Sequence, residues 1–204
     1  WDKNKLELSV KVFDENTDLL YHSLRIVKKN KGNFEKKILR GKHLVAPIFS
    51  DLILYGNPIC NSSVVVRKEI IVKAKGISEN KNMIAAEDYN AWLRISLITD
   101  KFKYLDKPLG YYLVNDGIST KRDMSDPTRT AIQEFNHLLS DHQKIEVEFR
   151  MSYMSADYHR KKELYEKALI LFRKSFFSKN ISLKFRSSIQ IMLIYLIIIK
   201  KFFL

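Results

Sequence analysis

The spacing of apolar positions changes character along the chain. Over the first 125 residues, short runs with helical and strand periods alternate. Leu6, Val10 and Phe13 recur at helical spacing behind Asp2, a candidate N-cap, and predict a first helix. LLYHSLRIV (19–27) reads as a strand. Residues 28–44, rich in Lys and Gly, read as loop or irregular structure. FSDLILYGNPIC predicts a short helix stopped by Gly56 and Pro58. CNSSVVVRKEIIVKAKG predicts a strand over 62–66, a short helix and a stop at Gly76. EDYNAWLRISLIT predicts a helix of about three turns. KFKYLD predicts a strand, KPLG a turn and YYLV another strand.

Beyond Ser125 the strand signals stop. Residues 127–142, 146–177 and 181–203 all read as helix. Tyr165, Ala168, Leu169 and Phe172 form one apolar face, and the loop around Ser178–Asn180 predicts a helical hairpin. The pattern therefore divides the chain into an α/β portion, 1–125, with a mixed sheet, and an α-helical tail, 126–204. The apolar run Ile191–Ile199 is too short to span a bilayer. Two readings of it stand: a helix packed on its predecessor, or an interfacial helix with Lys184, Arg186, Lys200 and Lys201 meeting lipid phosphates.

Charge sharpens that picture. The 204 residues carry a formal charge of +13 with 46% hydrophobic residues, which excludes a disordered composition. From Arg160 onward there are eleven Lys or Arg against two acids, so most of the excess lies in the tail. A basic balance points to an anionic partner: nucleic acid, acidic lipid or a phosphorylated substrate. No nucleic-acid-binding motif appears, and the tail mixes its charges with long aliphatic runs. The single Cys60 excludes an intrachain disulfide and fits a reducing compartment. No candidate base adjoins it in sequence, so it reads as a small buried residue. The five histidines show no metal-ligand spacing.

The chemistry-bearing stretch is AAEDYNAWLRIS (85–96). Two acids, Glu87 and Asp88, open the predicted helix. Acids in a first helical turn are commonly capping groups. A carboxylate held there is also kept in its charged form and is available as a base at neutral pH. Trp92 lies one turn on, on the face of Asp88, placed either to face a bound substrate or to pack in the core. Arg94 reads as a partner for Glu87, for a backbone carbonyl or for a substrate phosphate. Asn61, Ser62 and Ser63 precede the run VVV and fit either a pocket edge or a strand terminus.

The order of these pieces resembles the second half of a family-2 glycosyltransferase of the GT-A fold. NSSVVVRKE, the turn GISEN, EDYNAWLR, FKYLDKPLGYYLV and the polar close NDGIST follow one another as they do in that family. WDKNKLELSVKVF is similar to the helix that follows the family's metal-binding Asp-x-Asp. The resemblance covers roughly residues 1–122, the helical tail lying outside it. It implies an incomplete GT-A domain that transfers a sugar from a nucleotide-sugar to an acceptor hydroxyl with inversion. Asp88 is then the general base, with Glu87, Trp92, Asn61 and Ser62 on the acceptor side and Arg94 and Asn115 in support. A divalent metal, Mg or Mn, is expected in the intact enzyme, its Asp-x-Asp ligands lying before Trp1 rather than in this chain. The chain itself is expected to be a fragment, inactive alone and poor at binding UDP or GDP. The implied partners are a nucleotide-sugar donor and a saccharide or lipid-linked saccharide acceptor, with peripheral contact to acidic lipids and no nucleic acid. The implied setting is O-antigen or capsule synthesis at the cytoplasmic face of a bacterial plasma membrane.

Two departures stand out. The family's Gly-Gly-Phe-Asp-Glu corresponds to Lys75-Gly76-Ile77-Ser78-Glu79. Its Tyr-Arg-x-His corresponds to Tyr112-Leu113-Val114-Asn115, so Asn115 stands where the family has His. Two other functions compete with transfer: a basic nucleic-acid-binding module, and a non-catalytic remnant whose hairpin docks a partner.

Overall fold

A computed structural model describes residues 1–28, 37–114 and 121–202. The chain forms two compact units, Trp1–Thr120 and Lys121–Leu204, so residues 121–125 belong with the helical part. The first unit is α/β around a four-stranded mixed sheet; the second is helical among its described residues.

In the first unit the order is α1 (Lys5–Val12), β1 (Leu19–Lys28), β2 (Ile38–Leu39) and α2 (Ile48–Tyr55), then β3 (Val65–Val66), α3 (Lys68–Lys73), α4 (Glu87–Ser96) and β4 (Phe102–Val114). β1 is the organising strand. Leu19, Leu20, Tyr21 and Leu24 are buried, the mark of a strand covered on both faces. β2 and β3 pair with it antiparallel and β4 runs parallel to it. Leu52 and Ile53 of α2 and Leu93 and Ile95 of α4 complete this core.

Several expectations are corrected by local geometry. KPLG is not a turn: β4 is one continuous strand. The pairing shifts register where Leu105 faces His22 and Pro108 faces Ser23. Pro108 lacks the N–H a regular ladder needs, and the chain absorbs it as a bulge instead of turning. The strand expected over 62–66 shrinks to Val65–Val66, because Asn61–Ser63 winds into a 3-10 turn. The Ser63 hydroxyl holds that turn by donating to the Cys60 carbonyl at 2.7 Å. β2 lies in the stretch read as irregular. On α1 the stripe does not face the core: Leu6 and Val10 are exposed while Lys5 and Ser9 are buried.

Two stop signals work as read. Gly56 ends α2 at φ 87°. After α3, Lys75 and Gly76 both take positive φ, and the Gly76 amide reaches back to the Ile71 carbonyl at 2.8 Å.

The second unit contains α5 (Ser125–Gln133), α6 (Asp141–Lys161), α7 (Tyr165–Phe176) and α8 (Ile181–Phe202). The run 146–177 breaks at Glu163, which sits at φ 59° and lets α7 fold back on α6. Ala156, Ala168, Leu169, Phe172 and Ile194 form the core. The α7–α8 turn is held by a buried acid. Glu146 of α6 accepts from the Ser178 hydroxyl and, at 2.8 Å, from the Lys179 amide. The Ser175 and Ser187 hydroxyls meet at 2.8 Å between α7 and α8.

Candidate functional site

α4 carries the acid pair at its first two positions. Its entry is unusual. Ala85 adopts φ 70°, a region costly for a residue with a Cβ. The N-cap Ala86 offers no side chain to the free amides. The opening turn therefore depends on its acids. Asp88 Oδ1 accepts from the Tyr89 amide at 2.7 Å. The helix itself is anchored by the Tyr89 hydroxyl, which donates to the Leu52 carbonyl of α2 at 2.7 Å.

Asp88 does not sit at the low pKa that a helix N-terminus alone would give. Burial pushes it up to about 6, the Glu87 charge adds to the rise, and amide hydrogen bonds from Tyr89 and Asn61 oppose it. The Asn61 amide shows that the Cys60–Ser63 turn is folded against the acid. Cys60 confirms the neighbourhood: its thiol is pushed up to about 11, first by burial and then by the Asp88 charge. A thiol so raised is protonated at neutral pH and is no nucleophile.

The other expected residues separate into groups. Glu87 stands beside Asp88, and its Oε2 is buried with no hydrogen-bond partner. Asn61 joins the site through its backbone amide. Ser62 turns its carbonyl to α1, where Lys5 Nζ donates at 2.9 Å and the Trp1 indole at 3.1 Å. Trp92 is only 2% exposed, so its ring packs in the core and is not a platform open to a sugar. Its indole N–H is buried and unpartnered. Arg94 takes the backbone-carbonyl option. It donates to the Ala74 carbonyl, to the Gly76 carbonyl at 2.8 Å and to Asn90 Oδ1 at 3.1 Å. Asn115 lies outside the described residues.

Lys5 escaped the sequence reading. It is buried, its pKa is lowered by that burial, and it holds the 3-10 turn that faces Asp88. The only available signal was its place one residue ahead of the apolar stripe of α1. Among the described residues no group of three or more His, Cys, Asp or Glu is gathered to hold a metal ion. The described residues thus gather no metal cage of their own.

Comparison with known proteins adds no name to this geometry: no family model, no curated protein and no solved structure matches the chain.

Proposed function

We propose that the first unit is the acceptor-side portion of an inverting GT-A glycosyltransferase, with Asp88 as its general base. The observation that carries this reading is the state of Asp88. It is a partly buried carboxylate, raised to about 6, at a helix N-terminus and against a polar turn. A base with that pKa is ionised at neutral pH and is more basic than an ordinary aspartate. Burial keeps it raised, with the Glu87 charge adding to the rise, and Glu87 Oε2 is a buried acceptor without a donor. An acceptor hydroxyl or ring hydroxyl group supplies such a donor.

The step is a displacement. As the acceptor oxygen bonds to C1 of the donor sugar, its proton passes to Asp88. The bond from C1 to the nucleoside diphosphate breaks on the opposite face, so configuration inverts. Asn61 fixes the carboxylate from one side, and Arg94 holds the turn behind the helix. The resemblance supplies the substrate classes: a nucleotide-sugar and a saccharide or lipid-linked saccharide, in O-antigen or capsule synthesis.

The test is turnover of nucleotide-sugars by the protein. Asp88→Asn keeps the shape but cannot take the proton, and should lower transfer by roughly 10²–10⁴-fold. Unchanged transfer in a folded Asp88→Asn protein would remove the base assignment.

A further inference from the structure

α8 is buried along one edge and exposes apolar side chains around the rest, Leu193, Ile197 and Ile198 among them. Leu183, Ser187 and Ile194 are buried, packing toward α7 with the Ser175–Ser187 hydrogen bond between the helices. On the other side Ile181, Phe185, Met192, Tyr195, Leu196 and Ile199 are separated by four, seven, three, one and three residues, which at helical pitch places them in one stripe. All six are between 40% and 82% exposed. The stripe is continued across the helix pair by an open groove of about 480 Å³ between Phe176 of α7 and Met192 and Leu196 of α8.

Single exposed apolar residues need no explanation, but a stripe along a helix of 22 residues does. Its borders are cationic. Lys184 lies over the Phe176 ring at 5.6 Å, and Arg173 donates to the Tyr195 hydroxyl. Lys200 follows Ile199, the last residue of the stripe. From Leu164 to Leu204, Glu166 is the one acid. An apolar strip bordered by cations and poor in anions, Glu163 beside Lys201 being the exception, is complementary to one surface chemistry: acyl chains beneath anionic headgroups.

By length and composition Ile181–Lys201 is apolar enough to cross a bilayer. Its packing argues for lying in the surface instead. The uncharged stretch from Ser187 to Ile199 rises only about 20 Å, short of a hydrocarbon core of about 30 Å. α7, held beside it, carries Lys167, Arg173 and Lys174, which a spanning pair would drag into the hydrocarbon.

We infer that α8 docks the protein on an anionic lipid bilayer, lying along the interface with the Phe185–Met192–Leu196–Ile199 stripe in the acyl region and Lys184, Arg173 and Lys200 at the phosphates. This rests on the second unit alone and stands whether or not Asp88 is a base.

The test is co-sedimentation of the 204-residue chain with phosphatidylcholine vesicles, with and without phosphatidylglycerol. Binding should be strong only on the anionic vesicles and should weaken as salt rises. Lys200→Ala should lower partitioning about fivefold, as expected for one charge at an anionic surface. Met192→Glu with Leu196→Glu should abolish sedimentation while circular dichroism stays unchanged, since both positions are exposed in the folded chain. A wild-type chain that remains in the supernatant with anionic vesicles overturns the inference. So does a stripe that proves to join two copies: a dimer by ultracentrifugation, made monomeric by the double Glu variant, with no vesicle binding in either form.

Discussion

Helices α4 and α6 begin in opposite ways. α6 opens with a complete capping box. Ser140 Oγ accepts from the Gln143 amide at 3.3 Å, and Gln143 Oε1 accepts from the Ser140 amide at 3.0 Å. Asp141 stands in its first turn and His159, Arg160 and Lys161 in its last, as the helix dipole favours. α4 opens from a left-handed alanine and an uncapped alanine. Its two acids adjoin each other, one raised in pKa and one with a buried oxygen left unpartnered. Local rules are met at the helix that only has to fold. They are broken together at the helix proposed to do chemistry, where strain and raised pKa values concentrate.

The comparison can be broken in several places. The largest effect is expected on activity: Asp88→Asn should cost roughly 10²–10⁴-fold in transfer, whereas Ser140→Ala should leave transfer unchanged. Equal losses from both would erase the distinction. Next comes Arg94→Ala. It strips donors from the Ala74 and Gly76 carbonyls and should destabilise the fold by about 1–3 kcal/mol in urea unfolding.

The same Asp88→Asn change should move stability the other way. The folded pKa of about 6 stands above the ordinary aspartate value of 3.8. The folded state therefore holds the proton more tightly than the unfolded one. The contribution of Asp88 to stability is greatest below pH 4 and is lost as pH rises through about 6. At pH 7.5 the neutral amide should accordingly raise stability by about 3 kcal/mol, with the gain vanishing below pH 4. A thermal melt at the two pH values reads this directly. A variant less stable at pH 7.5 would mean that Asp88 is a cap like Ser140. Ser140→Ala should cost about 1 kcal/mol. Ala85→Gly should instead stabilise by about 0.5–1 kcal/mol, because glycine takes positive φ without the Cβ clash.

Much of the fold was legible because it is written in local signals. β1, α2, α4 and the α7–α8 hairpin follow from periodicity and from Gly56, Gly76 and the Ser178–Asn180 loop. The failures have a common cause in long-range pairing. Nothing near Pro108 reveals that β1 lies alongside to absorb a bulge. Nothing near Ile38 reveals that Arg25 will pair with it. The candidate site divides along the same line. Glu87 and Asp88 at a helix start were readable. For Trp92 both stacking and core packing were readable, and only the packing of α4 decides for the core. The contribution of Asn61 was half readable: the residue was singled out for its side chain, but its backbone amide meets Asp88.

Arg94 and Asn61 together have a topological effect. Asn61 bridges to Asp88, and Arg94, at the other end of the same helix, bridges to Ala74 and Gly76. The path from 61 through 76, across to 94 and back along α4 to 88 is thus a closed circuit, a non-covalent macrocycle. Residues 77–86 lie outside its circumference, as a strap joining two points already tied together. Lengthening that strap adds loop entropy that grows only slowly with length. An insertion on the circumference itself, between Val66 and Lys75, changes the ring size and swings the Asn61 amide away from the acid. A scan of single-residue insertions across 61–86 therefore maps the ring as a sharp step in tolerance near Gly76.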